Sequence, residues 1–272
     1  MTTETVWLNG ELVDDAHVSV MDHGLTVGDG VFETMLIRRG HPFARRRHLD
    51  RLERSLAGLG LRSCGRDIME QACDEVVAAS GRTDGRLRVT VTGGVGPMGS
   101  GRGDGPCTVL AVVIEQPPVA ATAAVVTVPW TRNENSPLAG LKTTSYGENV
   151  VALARAKEAG ADEAIFANTR GELCEGTGTN IAVVVDGRLV TPPLSSGCLA
   201  GITRELAIEH CGIEEATVPY SLLAEVTEAA LLGTTRDVQP ITSIDGRRLE
   251  PGAATLAARA AFLDLIATNL DP

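Results

Sequence analysis

Three groups that could do chemistry together follow one another in the second half of the chain. Lys142 supplies an amine, and Glu175 supplies a carboxylate 33 positions later. A Gly-Ile-Thr-Arg turn at residues 201–204 then opens a helical stretch, and the N–H groups at a helix start bind phosphate readily. Each feature alone is ordinary, since an isolated lysine is most often a solvated surface residue. Their combination indicates a cofactor that needs all three groups.

Pyridoxal phosphate (PLP) is such a cofactor. A lysine amine holds its aldehyde as a Schiff base and afterwards shuttles a proton. Its pyridine nitrogen stays protonated beside a carboxylate, and its phosphate needs N–H donors. We predict these roles for Lys142, Glu175 and residues 201–203, with the Thr203 hydroxyl as a further donor. Arg51 could add a charge-assisted contact to the phosphate.

Composition narrows the class of protein. The chain has 272 residues, is 43% hydrophobic and carries a net charge of −11, which disfavours nucleic acid as a partner. No apolar run approaches the roughly 18 residues of a membrane span, and the first residues do not resemble a signal peptide. Six cysteines without a CxxC pair predict free thiols, and five histidines share no metal spacing. We therefore expect a cytoplasmic protein with no membrane partner and no metal site.

Apolar periodicity and turn residues predict mixed secondary structure. Helices are predicted at residues 45–59, 66–79, 148–159, 202–210 and 253–269. Strands are predicted at residues 6–13 (a hairpin), 30–37, 87–92, 107–115, 124–129, 163–167, 180–185, 188–191 and 228–232. This order lacks a regular βαβ alternation, which favours an α+β fold in two parts.

Two adjacent prolines at positions 117 and 118 predict a linker between these parts, because proline resists continuation of either a helix or a strand. We place the linker at residues 116–123. A smaller N-terminal α/β domain would then cover residues 1–117. A C-terminal domain, expected to bind PLP, would cover residues 122–272.

The Gly-rich loop at residues 94–106 begins with the string GxGxxG after a predicted strand. A dinucleotide site also needs a helix at that turn and an acidic residue about 20 positions later. Here the loop continues as SGRGDGP, which cannot be helical, so we reject a dinucleotide site. The loop stays a candidate active-site lid.

Six short motifs occur in a fixed order along nearly the whole chain. They are residues 22–34 (DHGLTVGDGVFET), 48–52 (HxxRL), 141–146 (LKTTSY), 175–180 (EGxGxN), 199–204 (LAGITR) and 233–235 (GTT). With these motifs the sequence resembles the class IV aminotransferase family, the fold type IV PLP enzymes. The resemblance implies two α/β domains with PLP in the interdomain cleft. It also implies a homodimer at least, with residues of a neighbouring subunit near the site.

The resemblance implies a role for each matching position. Lys142 would be the Schiff-base lysine and proton shuttle. The other implied cofactor contacts are Glu175 at the pyridine nitrogen, Tyr146 at the phenolic oxygen, Leu199 against the ring, and Arg51, Gly201, Ile202, Thr203 and Thr234 around the phosphate. Phe32, Glu33 and Thr235 would border the substrate.

The substrate pocket, not the cofactor residues, decides which family reaction occurs. D-amino-acid transaminases carry a carboxylate-binding arginine where this chain has Gly93. Arg236, or Arg102 on the Gly-rich loop, could replace it. We predict a transaminase that moves an amino group between a D-amino acid or similar primary amine and a 2-keto acid. The alternatives are 4-amino-4-deoxychorismate lyase, which releases pyruvate and 4-aminobenzoate, a branched-chain amino acid aminotransferase, and a non-catalytic PLP sensor.

Overall fold

The computed structural model describes residues 4–272, and the chain divides into two compact units. The first unit contains the residues up to Pro118 together with the segment Leu141–Tyr146 and Asp271. The second unit contains Val119–Gly140, Gly147–Leu270 and Pro272. The domain limits drawn from the sequence stay a prediction. The sequence did not indicate that the segment around Lys142 would group with the first unit.

The first unit is built on a six-stranded antiparallel sheet in the order β2-β1-β6-β5-β3-β4. Its elements are β1 (Thr5–Leu8), β2 (Glu11–Val13), α1 (His23–Thr26), β3 (Gly30–Arg38), β4 (His41–Pro42), α2 (Arg45–Leu59), α3 (Arg66–Ser80), β5 (Gly85–Thr92) and β6 (Thr108–Ile114). Asn9 and Gly10 form the turn of the first hairpin with positive φ angles of 51° and 114°, as the Asn-Gly pair predicts.

Side chains along β5 point alternately to the two faces of this sheet. Leu87, Val89 and Val91 are buried in one apolar core with the leucines of α2 and the apolar side chains of α3. Arg88 and Thr90 point to the opposite face, because successive side chains of a strand alternate. On the neighbouring strand, Thr34 pairs with Arg88 and Phe32 with Thr90, so Phe32 shares their face. Glu33 therefore lies on the face that carries the helices.

The second unit is built on a nine-stranded mixed sheet in the order β12-β11-β10-β13-β14-β7-β8-β9, with β15 paired to β14. Three of its pairings are parallel, namely β11 with β12, β14 with β7 and β7 with β8. Its elements are β7 (Ala123–Arg132), α4 (Gly147–Glu158), β8 (Glu163–Asn168), β9 (Leu173–Gly176), β10 (Asn180–Val185), β11 (Arg188–Thr191), α5 (Ile202–His210), β12 (Glu214–Glu215), β13 (Ala229–Gly233), β14 (Asp237–Ile244), β15 (Arg247–Arg248) and α6 (Ala253–Thr268).

The mixed α+β architecture predicted from the sequence is confirmed, and each predicted helix and strand is present with ends shifted by a few residues at most. Of the elements given above, α1, β4, β9, β12, β14 and β15 were not predicted, and among these β14 alone is longer than four residues. Strand β14 contains Pro240, a residue that argues against a central strand because it donates no ladder hydrogen bond. Strand β9, which carries Glu175, is only four residues long. Within residues 4–272, no helix has the length and apolar character needed to cross a membrane.

Candidate active-site residues

Hydrogen bonds of its own N–H and carbonyl within the first unit fix the backbone at Lys142. The Lys142 N–H donates to the Ser55 hydroxyl on α2 at 3.2 Å, and the Lys142 carbonyl accepts from the Phe32 N–H at 3.0 Å. Two residues on, the Thr144 N–H donates to the Gly30 carbonyl at 2.8 Å. The segment therefore joins both α2 and β3, and its position does not depend on the lysine side chain.

The Phe32 ring lies beside the Lys142 amine. The Lys142 Nζ is 4.5 Å from the ring centroid, and the Tyr146 ring meets Phe32 edge-on, with centroids 5.2 Å apart at 81°. Three residues predicted to contact cofactor or substrate are thus neighbours in the first unit. A lysine ammonium above an aromatic face is held there by a modest electrostatic attraction.

Glu33, expected from the family resemblance to border the substrate, lies in the interior of the first unit. Its side chain is fully buried, and both carboxylate oxygens accept hydrogen bonds inside the unit. Arg51 donates from Nε to Oε1 and from Nη2 to Oε2, both at 2.7 Å, and His48 Nδ1 lies 2.6 Å from Oε2. The expected role of Glu33 beside the substrate therefore stays a prediction. In the structure, Glu33 is a buried partner of Arg51, on the sheet face opposite Phe32.

The buried Glu33, His48 and Arg51 form one charge network. Burial alone would raise the pKa of Glu33, but the charges and hydrogen bonds of Arg51 and His48 outweigh it and lower that pKa to about 2. Burial lowers the pKa of His48, and the positive charges of Arg51 and Lys142 add to this effect against the opposing Glu33 carboxylate. Glu33 is therefore ionised and His48 neutral near pH 7, with its Nδ1–H donating to the carboxylate.

Arg102 is bound within its own unit, so the structure does not favour it as the substrate-carboxylate residue. It donates to both oxygens of Asp29 at 2.7 Å and to the carbonyls of Leu59 and Gly60 at 2.8 Å. The hydrogen bond and charge of Arg102 in turn lower the pKa of the Asp29 carboxyl. These contacts fasten the Gly-rich loop to the end of α2, which is a structural use of this guanidinium.

In the second unit, Glu175 on β9 is held at both carboxylate oxygens. Oε2 accepts the Leu199 N–H at 2.9 Å, and Oε1 lies 3.4 Å from Nε of Arg132 at the end of β7. The Arg132 guanidinium also stacks over the Phe166 ring, 4.2 Å from its centroid. Sequence reasoning missed Arg132. The only available signal was a charged residue at a strand end, which is too common to single it out.

The start of α5 offers N–H groups to an anion, although one fewer than the sequence suggested. The Gly201 N–H donates to the Leu199 carbonyl at 2.8 Å, so this donor is used inside the protein. Ile202 and Thr203 lie in the first helical turn, where N–H groups have no acceptor four residues earlier. A side chain at position 201 would collide with the Asn180 amide oxygen, which explains the glycine.

The turn after β13 holds the remaining predicted site residues. Thr234 and Thr235 are partly buried there, and the Arg236 N–H closes the turn on the Gly233 carbonyl at 2.9 Å. The Arg236 side chain donates to Gln239 Oε1 at 2.7 Å and to the Asp162 carbonyl at 3.3 Å. Arg236 is thus partly engaged within the second unit, and its assignment to a substrate carboxylate stays a prediction.

Comparisons with known proteins agree with this architecture. The family model described as amino-transferase class IV matches residues 30–244. A Methanocaldococcus jannaschii protein named for branched-chain-amino-acid aminotransferase activity is 34% identical and aligns over 96% of each chain. The D-alanine aminotransferase of Bacillus licheniformis is 30% identical over 91% of each chain. The branched-chain aminotransferase of Thermoproteus uzoniensis, solved with norvaline, superposes with a TM-score of 0.90 at 30% identity, covering 98% of this chain and 95% of that one.

The fold and the matched residues define a fold type IV enzyme. The chain belongs to the class IV aminotransferase family, whose members are PLP-dependent. The family resemblance predicted from the six motifs is therefore confirmed.

Proposed function

We propose that this protein is a PLP-dependent transaminase that moves an amino group between an amino acid and a 2-keto acid, with Lys142 as the reacting amine. The main support for this proposal is the fixed backbone of Lys142, whose N–H and carbonyl both form hydrogen bonds within the first unit. Such a segment presents one amine in a defined place, which a proton-transfer residue requires.

The residues present fit the cofactor. Gly201, where a side chain would meet the Asn180 amide oxygen, precedes a helix of nine residues whose first N–H groups suit a phosphate. We propose that Ile202, Thr203, Thr234 and Arg51 hold the phosphate. Glu175 would face the pyridine nitrogen, Tyr146 the phenolic oxygen and Leu199 the ring.

When bound, PLP supplies an electron sink that makes the Cα proton of an amino acid easier to remove. Lys142 would take that proton on Nζ and return it at a different carbon. Glu175 would keep a negative charge beside the ring nitrogen, and Arg132 together with the Leu199 N–H holds the carboxylate in orientation. Glu33 would fix the plane of the Arg51 guanidinium from the side away from the phosphate.

Glu175→Gln is expected to slow the amino-transfer step by about 100-fold while leaving the protein folded, because a neutral amide no longer favours a protonated ring nitrogen. The rate is read in single turnover as the loss of visible cofactor absorbance after amino acid is added. Glu172→Gln, three residues earlier and hydrogen-bonded to Arg170 and Asn168, is the matched control. A Glu175→Gln rate within threefold of the wild type would contradict the role.

The substrate class is the part of the proposal that needs a direct screen. Relatives that cover most of the chain are named for branched-chain amino acids and for D-alanine, so leucine and valine in both chiral forms and D-alanine are the first donors to test. Loss of visible cofactor absorbance with any of them, and its recovery with the 2-keto acid, supports a transaminase. If no amino acid acts but aminodeoxychorismate yields 4-aminobenzoate and pyruvate, the protein is a lyase. Visible absorbance without turnover of either kind would leave only the PLP sensor.

A further inference from the structure

Asn180, the first residue of β10, carries a carboxamide that contacts the segment before α5. The residue is 5% exposed, and its backbone is held in the sheet by pairing with Leu232 of β13. From this fixed position, Asn180 Nδ2 donates to the Leu199 carbonyl at 2.9 Å. The sheet therefore presents an amide donor to residues 198–201, a segment that has no regular secondary structure of its own.

The main chain of Leu199 joins two parts of the proposed cofactor site. Its N–H donates to Glu175 Oε2 at 2.9 Å. Its carbonyl accepts from Asn180 and also from the Gly201 N–H, the latter at 2.8 Å. Glu175 is the carboxylate proposed for the ring nitrogen, and Gly201 is the N-cap of α5, whose first N–H groups are proposed for the phosphate. A shift of Leu199 would therefore displace hydrogen-bonding groups in both parts of the site.

The Asn180 amide oxygen also explains why position 201 is a glycine. Gly201 has a φ of −66° and a ψ of 134°, an extended conformation that any residue adopts, so its backbone does not require glycine. A side chain at this position would instead overlap Asn180 Oδ1, whereas the next residue that it would meet, Arg204, lies at an ordinary contact distance of 3.5 Å. Asn180 and Gly201 thus fit each other, with the carboxamide packed against the start of α5.

We propose that Asn180 is a positioning residue, which holds Leu199 and Gly201 so that the Glu175 carboxylate and the first N–H groups of α5 keep the orientation that the cofactor needs. The inference rests on the proposed function, because Glu175 and α5 have these roles only if the protein binds PLP. Without the Asn180 donor, the Leu199 carbonyl keeps its short-range bond from Gly201 but loses the bond that ties it to the sheet.

Asn180→Ala is expected to weaken the binding of PLP by about 30- to 100-fold and that of pyridoxal, which lacks the phosphate, by about 3- to 10-fold. The loss with pyridoxal reports the ring-nitrogen part of the site, and the additional loss of about tenfold with PLP reports the phosphate part. Both affinities are measured by calorimetric titration of the cofactor-free protein, which does not depend on turnover. Asn180→Asp keeps the shape of the side chain without the donor and should show the same two losses, so it replaces the alanine variant if that variant does not fold.

Asn168→Ala is the matched control for Asn180→Ala. Asn168 is also buried in the second unit, and its Nδ2 donates to a main-chain carbonyl, that of Ser196, at 3.3 Å. This variant should lower the free energy of unfolding but should change the ratio of PLP affinity to pyridoxal affinity by less than about threefold.

Gly201→Ala tests the fit between positions 180 and 201 independently. In the wild type, the added methyl group should displace the Asn180 amide and weaken PLP binding by about tenfold or more. In the Asn180→Ala protein the overlapping oxygen is gone, so the same glycine substitution should weaken PLP binding by less than about threefold in addition.

The inference is overturned if folded Asn180→Ala binds PLP and pyridoxal as the wild type does, if PLP alone weakens, or if Asn168→Ala changes the ratio of the two affinities as much. It is also overturned if Gly201→Ala weakens PLP binding equally in both backgrounds. Failure of the proposed function looks different. A wild-type protein that binds PLP but converts no amino acid overturns the transaminase assignment and leaves the role of Asn180 in place, whereas a wild-type protein that binds no PLP overturns both.

Discussion

Lys142→Ala is expected to lose amino-transfer activity by about 10⁴-fold or more, because the same side chain is proposed to hold the cofactor and to move the proton. The chain contains only two lysines, Lys142 and Lys157, which makes this test unusually sharp. Borohydride reduction of the PLP-loaded wild type should attach one cofactor to the peptide that contains Lys142. The attachment is measured by peptide mass spectrometry, and the variant should show none.

Lys157→Ala supplies the control for Lys142→Ala. Lys157 lies on α4, is largely exposed, and pairs with Asp162 at 3.6 Å, so its amine is a reasonable target for nonspecific labelling. This variant should keep both the labelling of Lys142 and the activity. Cofactor found on Lys157 or on the N-terminal amine, with Lys142 unlabelled, would contradict the assignment and the proposed function together.

Glu33→Ala is expected to lower the free energy of unfolding by about 3–5 kcal/mol, because it leaves the buried Arg51 cation and the His48 N–H without their common acceptor. That loss is a large part of the 5–15 kcal/mol typical of a folded protein. Urea unfolding followed by circular dichroism measures it. The variant should also bind PLP more weakly, since Glu33 holds Arg51 in orientation.

Glu53→Ala is the matched control for Glu33→Ala. Glu53 also accepts from an arginine, Arg66, at 2.9 Å, but it lies at the surface, where an ion pair contributes about 1 kcal/mol or less. Equal destabilisation by the two variants would show that burial of Glu33 has no energetic consequence.

The same network gives the unfolding free energy a defined pH dependence. The folded-state pKa of Glu33 is about 2 against an ordinary 4.5. Its contribution to the free energy of unfolding is therefore complete above pH 4.5 and is lost as the pH falls from there towards 2. The pKa of His48 is lowered from 6.5, so the unfolded chain binds this proton first and stability is lost as pH falls through 6.5. Both effects have the same sign. Wild type should therefore be less stable at pH 5 than at pH 7.5, and His48→Gln should reduce that difference.

Local patterns were enough to predict most elements of the fold. Helix α2 was predicted with its observed limits because leucines recur at helical spacing over residues 49–59. Strand β14 was not predicted, because Pro240 contradicts a central strand locally. It is nevertheless one, paired with β13 on one side and β7 on the other. Tertiary pairing outweighed local preference there.

The candidate site was predicted less evenly than the fold. The motifs select Lys142 and Glu175 as candidates, since residue type and order are visible in a sequence. Arg132 was missed because its significance depends on the Phe166 ring beneath it, which is distant in sequence. Glu33 was placed near the substrate together with Phe32. Strand alternation puts these two adjacent residues on opposite faces of the sheet.

The grouping of Leu141–Tyr146 with the first unit has a consequence for dissection and biosynthesis of this protein. The chain passes from one unit to the other at Pro118, returns at Leu141 and leaves again after Tyr146. A fragment ending at residue 118 would therefore lack the segment that bonds to Ser55, Phe32 and Gly30. On the ribosome, too, the first unit still lacks residues 141–146 and Asp271 when residue 118 has emerged. The two units are thus not separable gene segments, because residues 141–146 and Asp271 join the first unit from beyond Pro118.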